Sequence, residues 1–115
     1  MAANLIDDSK RFFGSTWAGT GETTLFTIEA GKKAVILEFM ACNPTDSSAQ
    51  FSLSVVPSGE SNADGYRRLD EIDVPAKDSI IYEVFWPMGA GDFMSGKQET
   101  DGALSISVNG AEVAV

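Results

Sequence analysis

Alternation of apolar and polar side chains is the feature that most constrains the fold of this chain. Residues 50–56 show it most clearly, because apolar side chains occupy every odd position there and serines separate them. A period of two is the spacing of side chains along one face of a β-strand. Runs of this kind predict strands at residues 24–28, 34–42, 50–56, 67–74, 79–86, 104–108 and 112–115.

Short turn segments separate several of these runs. Three of them have alanine second and a charged residue fourth, at residues 29–32, 75–78 and 89–92. Gly31 and Gly91 stand third, where glycine adopts the positive φ of a type II turn without steric cost. Lys77 stands third in the remaining segment and would have to tolerate that geometry or use another turn. We therefore predict tight strand connections at all three places.

Seven to nine short strands with frequent turn signals predict an all-β fold. The expected architecture is a single-domain antiparallel β-sandwich, jelly-roll-like, over residues 15–115. Within residues 67–74 the apolar phase changes between Leu69 and Ile72, which predicts a bulge or two short strands.

Residues 1–14 are expected to form a separate N-terminal arm or short helix. Asn4 could cap such a helix and Gly14 could end it. One side of the helix would carry Leu5, Ile6, Ser9, Phe12 and Phe13. Nine residues make a marginal helix without packing, so an extended arm is an equal alternative. Phe12 and Phe13 would be buried in this domain's core or, in an exchanged arm, against a neighbouring subunit.

The charge of the chain excludes some partners. It carries 17 acidic and 8 basic residues, for a formal net charge of −9. Such a surface repels phosphate backbones and anionic lipid, so we expect no nucleic acid and no membrane as partner. The N-terminus has no signal-peptide pattern and no apolar run approaches the ~20 residues of a bilayer span. We expect synthesis in the cytoplasm.

The composition also argues against enzyme chemistry. The chain has no histidine and one cysteine, Cys42. Histidine is the commonest general base and metal ligand, and it completes the usual serine and cysteine nucleophile pairs. Carboxylates at Asp70, Glu71 and Asp73 are better explained as solvated charges on a strand edge than as a calcium or glycosidase site. We therefore predict no catalytic residues, no metal, no cofactor and no enzyme activity.

Aromatic side chains are the suggestive class that remains. Several lie near turns or strand ends, where they either plug the core of a sandwich or anchor an interface. Stacking on a sugar is a third possibility, for which Trp17 or Trp86 would serve. The candidate protein-interface residues are Phe12, Phe13, Trp17, Trp86 and Met88.

Most of the chain resembles a family of small β-sandwich proteins encoded by tailed bacteriophages. The similarity runs from residue 24 to residue 113 and rests on strand and turn segments in a fixed order. These are LFTIEAGKKAVI at residues 25–36, CN at 42–43, FSLSVVPSG at 51–59, AGD at 90–92 and LSISVNGAEV at 104–113. The chain departs from the family in having Glu29 where proline is usual and Pro75 to Asp78 where glycine is usual.

The resemblance implies a virion structural component without catalytic residues. It favours a capsid decoration or cement protein, or a head-fibre component, present in many copies as a homo-oligomer in contact with other virion proteins, the major capsid protein first. A tail, baseplate or neck accessory protein is the nearest alternative. An adhesion module that binds host glycans is the alternative from another class.

Overall fold

A computed structural model describes residues 8–115 of the chain as two packed β-sheets. The eight strands are β1 (Ser9–Thr16), β2 (Thr23–Thr27), β3 (Lys32–Asn43), β4 (Ala49–Val56), β5 (Arg67–Val74), β6 (Asp78–Met88), β7 (Phe93–Gln98) and β8 (Ser105–Ala114). A single 3₁₀ turn, Asp64–Tyr66, precedes β5. The part of the chain that the structure describes contains no α-helix.

The strand order is that of a jelly roll. Sheet A has the order β1-β8-β3-β6 and sheet B the order β2-β7-β4-β5, with antiparallel pairing throughout. Successive strands change sheet at every connection except β4–β5, so two interleaved Greek keys close over one core. The predicted all-β antiparallel sandwich of jelly-roll type is confirmed.

Three of the connections between the sheets are the turns expected from the sequence. In each, a backbone hydrogen bond of 3.1–3.2 Å runs from the fourth N–H to the first carbonyl. The third residues have positive φ: 79° at Gly31, 59° at Lys77 and 84° at Gly91. One positive φ at the third position is the type II geometry. Lys77 therefore tolerates it, and its Nζ donates to the carbonyl of Pro44 at 2.8 Å.

The core lies between the inner faces of the two sheets. In β4 the odd-numbered side chains point inward and Ser52 and Ser54 point outward, as the alternation predicts. The largest fully buried apolar side chains are Trp17, Phe39, Phe51, Ile28, Ile36, Leu53, Met94, Leu104, Val56, Val74 and Val108. The predicted irregularity in β5 is also present: the register shifts opposite Ser52, and Glu71 takes a φ of 49°.

Strand β1 corrects the N-terminal prediction. Residues 9–14 are extended and pair with β8, so the helical alternative is wrong for them. Pairing to β8 satisfies the backbone along a whole strand, whereas a nine-residue helix would rely on packing alone. Phe12 and Phe13 pack against the domain's own core, and the Phe12 ring lies 5.1 Å from that of Phe26 in sheet B. The part of the prediction that fell on residues 1–7 lies outside the described residues.

Strand β7 and the full length of β8 were not predicted from the sequence. Strand β7 reads FMSGKQ, which has no apolar alternation, and β8 joins two runs that were expected to be separate strands. The reason for Gly96 in β7 is tertiary. A Cβ at this position would lie 2.7 Å from Cη2 of Trp17, so the indole packs directly on the strand backbone.

Candidate protein interface

Two of the predicted interface residues belong to the interior. The exposed fraction of the Trp17 side chain is 1% and that of Met88 is 2%. Trp17 packs 6.3 Å from the ring of Phe51, and its carbonyl accepts a hydrogen bond from Gln98 Nε2. Neither residue offers surface to a partner, so their assignment to an interface is wrong. These side chains are buried in the core rather than exposed because a large apolar side chain contributes the most favourable free energy when it leaves water completely.

The other three predicted interface residues are half-buried and turn toward the core. Phe12, Phe13 and Trp86 all pack against the central apolar cluster. Trp86 lies opposite Ile36 on the inner face of sheet A. With Trp17 buried and Trp86 facing inward, the two tryptophans considered for sugar stacking do not form an open aromatic platform.

Two strongly exposed apolar side chains lie instead on the outer face of β6. Phe85 is 71% exposed and Ile81 is 60% exposed. Among the strands of residues 8–115, β6 is the last of sheet A, so it combines a sheet edge with two exposed apolar side chains. The sequence contained the signal, because residues 79–86 are apolar on both faces, but alternation alone does not say which face is the inner one.

Strand β3 extends this exposed surface. Met40 pairs with Ile81, and Leu37 lies at the register shift between the Ile36–Trp86 and Glu38–Glu83 pairings, where Val84 and Phe85 of β6 also lie. Met40 and Leu37 are half-buried, and neither belongs to the half-buried side chains that pack against the core. We call Leu37, Met40, Ile81 and Phe85 the apolar patch. An apolar hollow of about 180 Å³ lies farther along β3, where β3 meets β8, and is lined by Lys33, Ala34, Val35, Ala111 and Val113.

Two carboxylates interrupt the apolar patch. Glu38 of β3 and Glu83 of β6 are directly opposite each other, between the Met40–Ile81 pair and the bulge with Leu37 and Phe85. Asn109 Nδ2 donates to Glu38 Oε1 at 3.2 Å. Within residues 8–115, neither carboxylate forms an ion pair. We call Glu38 and Glu83 the carboxylate pair.

The outer face of sheet B has the opposite character. Arg67 of β5 holds Glu22 through two hydrogen bonds of 2.7 and 3.3 Å, and it also donates to Ser54 of β4 at 3.0 Å. Ser95 of β7 donates to the same glutamate. Burial by itself would raise the pKa of Glu22, but the hydrogen bonds from Arg67 and Ser95 and the charges of Arg67 and Lys97 outweigh it and lower the pKa. The charges of Glu22 and Arg67 on this face are therefore paired.

A polar groove of about 220 Å³ also lies on sheet B. Its lining is Gln50, Phe51, Ser52, Glu71, Lys97, Gln98 and Glu99. The hydroxyl of Ser52 is already hydrogen-bonded within the fold. It donates to Asp70 and accepts from the N–H of Glu71, both at 2.9 Å. Among residues 8–115 no three His, Cys, Asp or Glu side chains are grouped as metal ligands, and no helix is long and apolar enough to cross a membrane.

Comparison with known proteins gives a structural likeness and no family. The fold defines the chain as an eight-stranded jelly-roll sandwich with one apolar and one polar outer face. No family model and no curated protein matches it. A chain in the solved structure of infectious bursal disease virus Gx strain is similar, with 14% identity and a TM-score of 0.40. The match covers 90% of this chain and 31% of that one, and a likeness at this level carries no argument about function.

Proposed function

We propose that this chain is a structural virion protein of a tailed bacteriophage, acting by protein–protein contact rather than by catalysis. The favoured role is capsid decoration or cement, or a head fibre, with the major capsid protein as first partner. The sequence resemblance over residues 24–113 supports the phage assignment. The observation that carries the binding role is the apolar patch, where Phe85 is 71% exposed and Ile81 is 60% exposed.

The exposed apolar side chains are informative because they are grouped. Single apolar side chains on a surface are ordinary, whereas several on one face of a sheet indicate a contact site. Sheet A has four strands, and β3 has 12 residues. Strand spacing and rise then give its outer face roughly 800 Å². This is about the area that each partner contributes to an interface of ordinary size. The outer face of sheet A is therefore large enough to attach the protein to a particle.

Quantitative mass spectrometry of purified virions tests the location. We expect the chain in hundreds of copies per particle if it decorates the capsid. A few to tens of copies would support the tail, baseplate or neck alternative. Absence of the chain from washed particles would contradict a virion role altogether.

Substitution of the patch tests how the protein attaches. The variant Ile81→Ser/Phe85→Ser should fold as the wild type does, because both side chains are exposed, yet be lost from particles assembled in its presence. Val115→Ser is the matched control, since Val115 is 76% exposed but lies outside the patch. Equal retention of both variants would show that attachment uses another surface. The expected self-association into a homo-oligomer would then be examined on each variant by analytical ultracentrifugation.

A further inference from the structure

We infer that the outer face of β6 binds an extended, basic segment of a partner protein, with one arginine or lysine placed at the carboxylate pair between two apolar side chains. This inference rests on the proposed function in taking the apolar patch as the contact surface, and it adds the chemistry of the partner. Its basis is the juxtaposition of Glu38 and Glu83 with the exposed side chains of Ile81 and Phe85 on an open sheet edge.

The carboxylate pair places two acidic residues opposite each other, with no ion pair to either among residues 8–115. Like charges directly opposite each other in an antiparallel sheet are destabilising. The side chain closest to them across the sheet is Asn109, and Arg11 of β1 is the next residue in that row. Arg11 is two strands away from Glu38, or roughly 10 Å at the usual strand spacing. A cation on a strand added at the edge of β6 would stand one strand spacing, about 4.8 Å, from the exposed Glu83 and would offset the charge of the pair there.

The apolar side chains around the pair match the shape of a basic side chain. Lysine and arginine bury their aliphatic stems on apolar surface and keep the charge at the polar end. Arginine has two further contacts available here, because its guanidinium can bridge carboxylates and can lie against the ring of Phe85. Ile81, Glu83 and Phe85 occupy alternate positions of β6. They therefore favour a partner strand whose side chains on the same face are apolar, basic and apolar in that order.

The open edge of β6 indicates an extended partner. No described strand lies on the outer side of β6, so its outward backbone groups can take up an additional strand. Side chains of such a strand would stand about 4.8 Å from Ile81, Glu83 and Phe85. Pro87 lacks an N–H and ends the usable edge on one side. A short basic segment would fit along the stretch that precedes it.

A second copy of this chain is a poorer occupant. A two-fold contact of β6 with itself centred on Glu83 would bring two carboxylate pairs together, so that four acidic groups meet. Each copy also carries a formal net charge of −9. Like charges brought together across an interface oppose association. Charge complementarity therefore selects a basic partner for this face, and self-association would use another surface.

Synthetic peptides test the inference on the intact protein. The probe is acetyl-TVTRTVT-amide, in which an added strand would present Val, Arg and Val on one face; acetyl-TVTETVT-amide is its charge-reversed control. NMR titration should show shifts centred on β6 and at least about fivefold tighter binding of the arginine peptide, as expected for one surface charge contact. Equal affinity of the two peptides, or shifts outside sheet A, would overturn the inference.

Protein variants separate the local contact from general attraction to an acidic protein. Glu38→Gln/Glu83→Gln should lose the preference for the arginine peptide. Asp73→Asn/Glu99→Gln changes the net charge equally on the other sheet and should retain it. Glu38→Lys/Glu83→Lys should reverse the preference, with thermal denaturation confirming that each variant folds. Loss of the preference in both neutralised variants would contradict a local site.

The two proposals fail in distinguishable ways. If the chain is found in virions and Phe85→Ser releases it, but no peptide preference exists, the function stands and the basic partner is wrong. If the peptide preference is present but washed virions lack the chain, the basic site stands and the virion role is wrong. If Phe85→Ser converts a wild-type oligomer into a monomer, the occupant is a second copy and the inference is overturned.

Discussion

At the scale of single residues, Asn43 shows how one polar side chain fixes a loop. It is fully buried at the end of β3. Its Nδ2 donates to the carbonyls of Ser47 and Val74 at 2.8 and 2.9 Å. Its Oδ1 accepts from the N–H and the hydroxyl of Thr45 at 3.0 and 2.7 Å. All four hydrogen-bonding positions of the amide are satisfied, so the segment that leads into β4 is tied to β5.

We expect Asn43→Ala to lower the free energy of unfolding by about 2–4 kcal/mol, because it leaves the buried carbonyl of Val74 without this donor. Urea denaturation followed by fluorescence measures the change. Asn109→Ala is the comparison, since Asn109 is half-buried on the outer face of sheet A and should cost less than about 1 kcal/mol. Equal costs for the two variants would contradict the role given to Asn43.

At the scale of elements, the two edge strands of sheet A differ in what they do. Strand β1 turns Phe12 toward sheet B, where its ring meets Phe26. Strand β6 turns Tyr82, Val84 and Trp86 toward the core but leaves Ile81 and Phe85 in solvent. Strand β1 therefore turns its phenylalanines toward the core, whereas β6 has apolar side chains on both its inner and its outer face.

We expect Phe12→Ala to destabilise the protein by about 2–3 kcal/mol, somewhat less than a fully buried phenylalanine would, because Phe12 is half-buried. Phe85→Ala should change the free energy of unfolding by less than about 0.5 kcal/mol, as for other surface substitutions. Thermal or urea unfolding of the two variants side by side gives the comparison. A larger cost at Phe85 than at Phe12 would mean that β6 is packed differently from the structure described here.

At the scale of the whole molecule, the outer faces of the two sheets differ in how their charged side chains are paired. The contacts of Arg67 with Glu22 and Ser54, and of Glu22 with Ser95, join the strands β4, β5 and β7 to the segment before β2. This face stabilises sheet B with its own charges. The outer face of sheet A keeps Glu38 and Glu83 without an ion pair among residues 8–115, and it is the face that we propose for binding.

The pH dependence of stability should report the sheet B network. The pKa of Glu22 in the fold is lowered from its ordinary value of 4.5. A carboxyl with a lowered pKa contributes stability that is fully present above the unfolded value and is lost as pH falls through the folded value. We expect Glu22→Gln to reduce the loss of stability below pH 4.5, measured by urea denaturation across that range. If the free energy of unfolding of the variant depended on pH as steeply as that of the wild type, this assignment would be contradicted.

The sequence predicted the residues of the candidate site less well than it predicted the fold. Aromatic identity pointed to Trp17 and Trp86, but a tryptophan at a strand end has the same local sequence whether it closes the core or faces solvent. Phe85 was one of the aromatic residues near a strand end and Ile81 a member of an apolar run, but neither was among the predicted interface residues. The Glu38–Glu83 pairing needs the register of two strands 45 residues apart, since β3 and β6 are neighbours in space and not in sequence.

The sequence by itself determined most of the extended segments and the positions of three tight turns, because strand alternation and turn geometry are local properties of a few residues. It thereby predicted an antiparallel sandwich and tight connections at residues 29–32, 75–78 and 89–92, whereas the type II geometry at Lys77 is known from the structure. Tertiary structure decided which strands are neighbours, that residues 9–14 form a strand against β8, and which apolar face of β6 is left outside. These depend on pairing between distant segments, where the burial of one face of a strand leaves the other to solvent or to a partner.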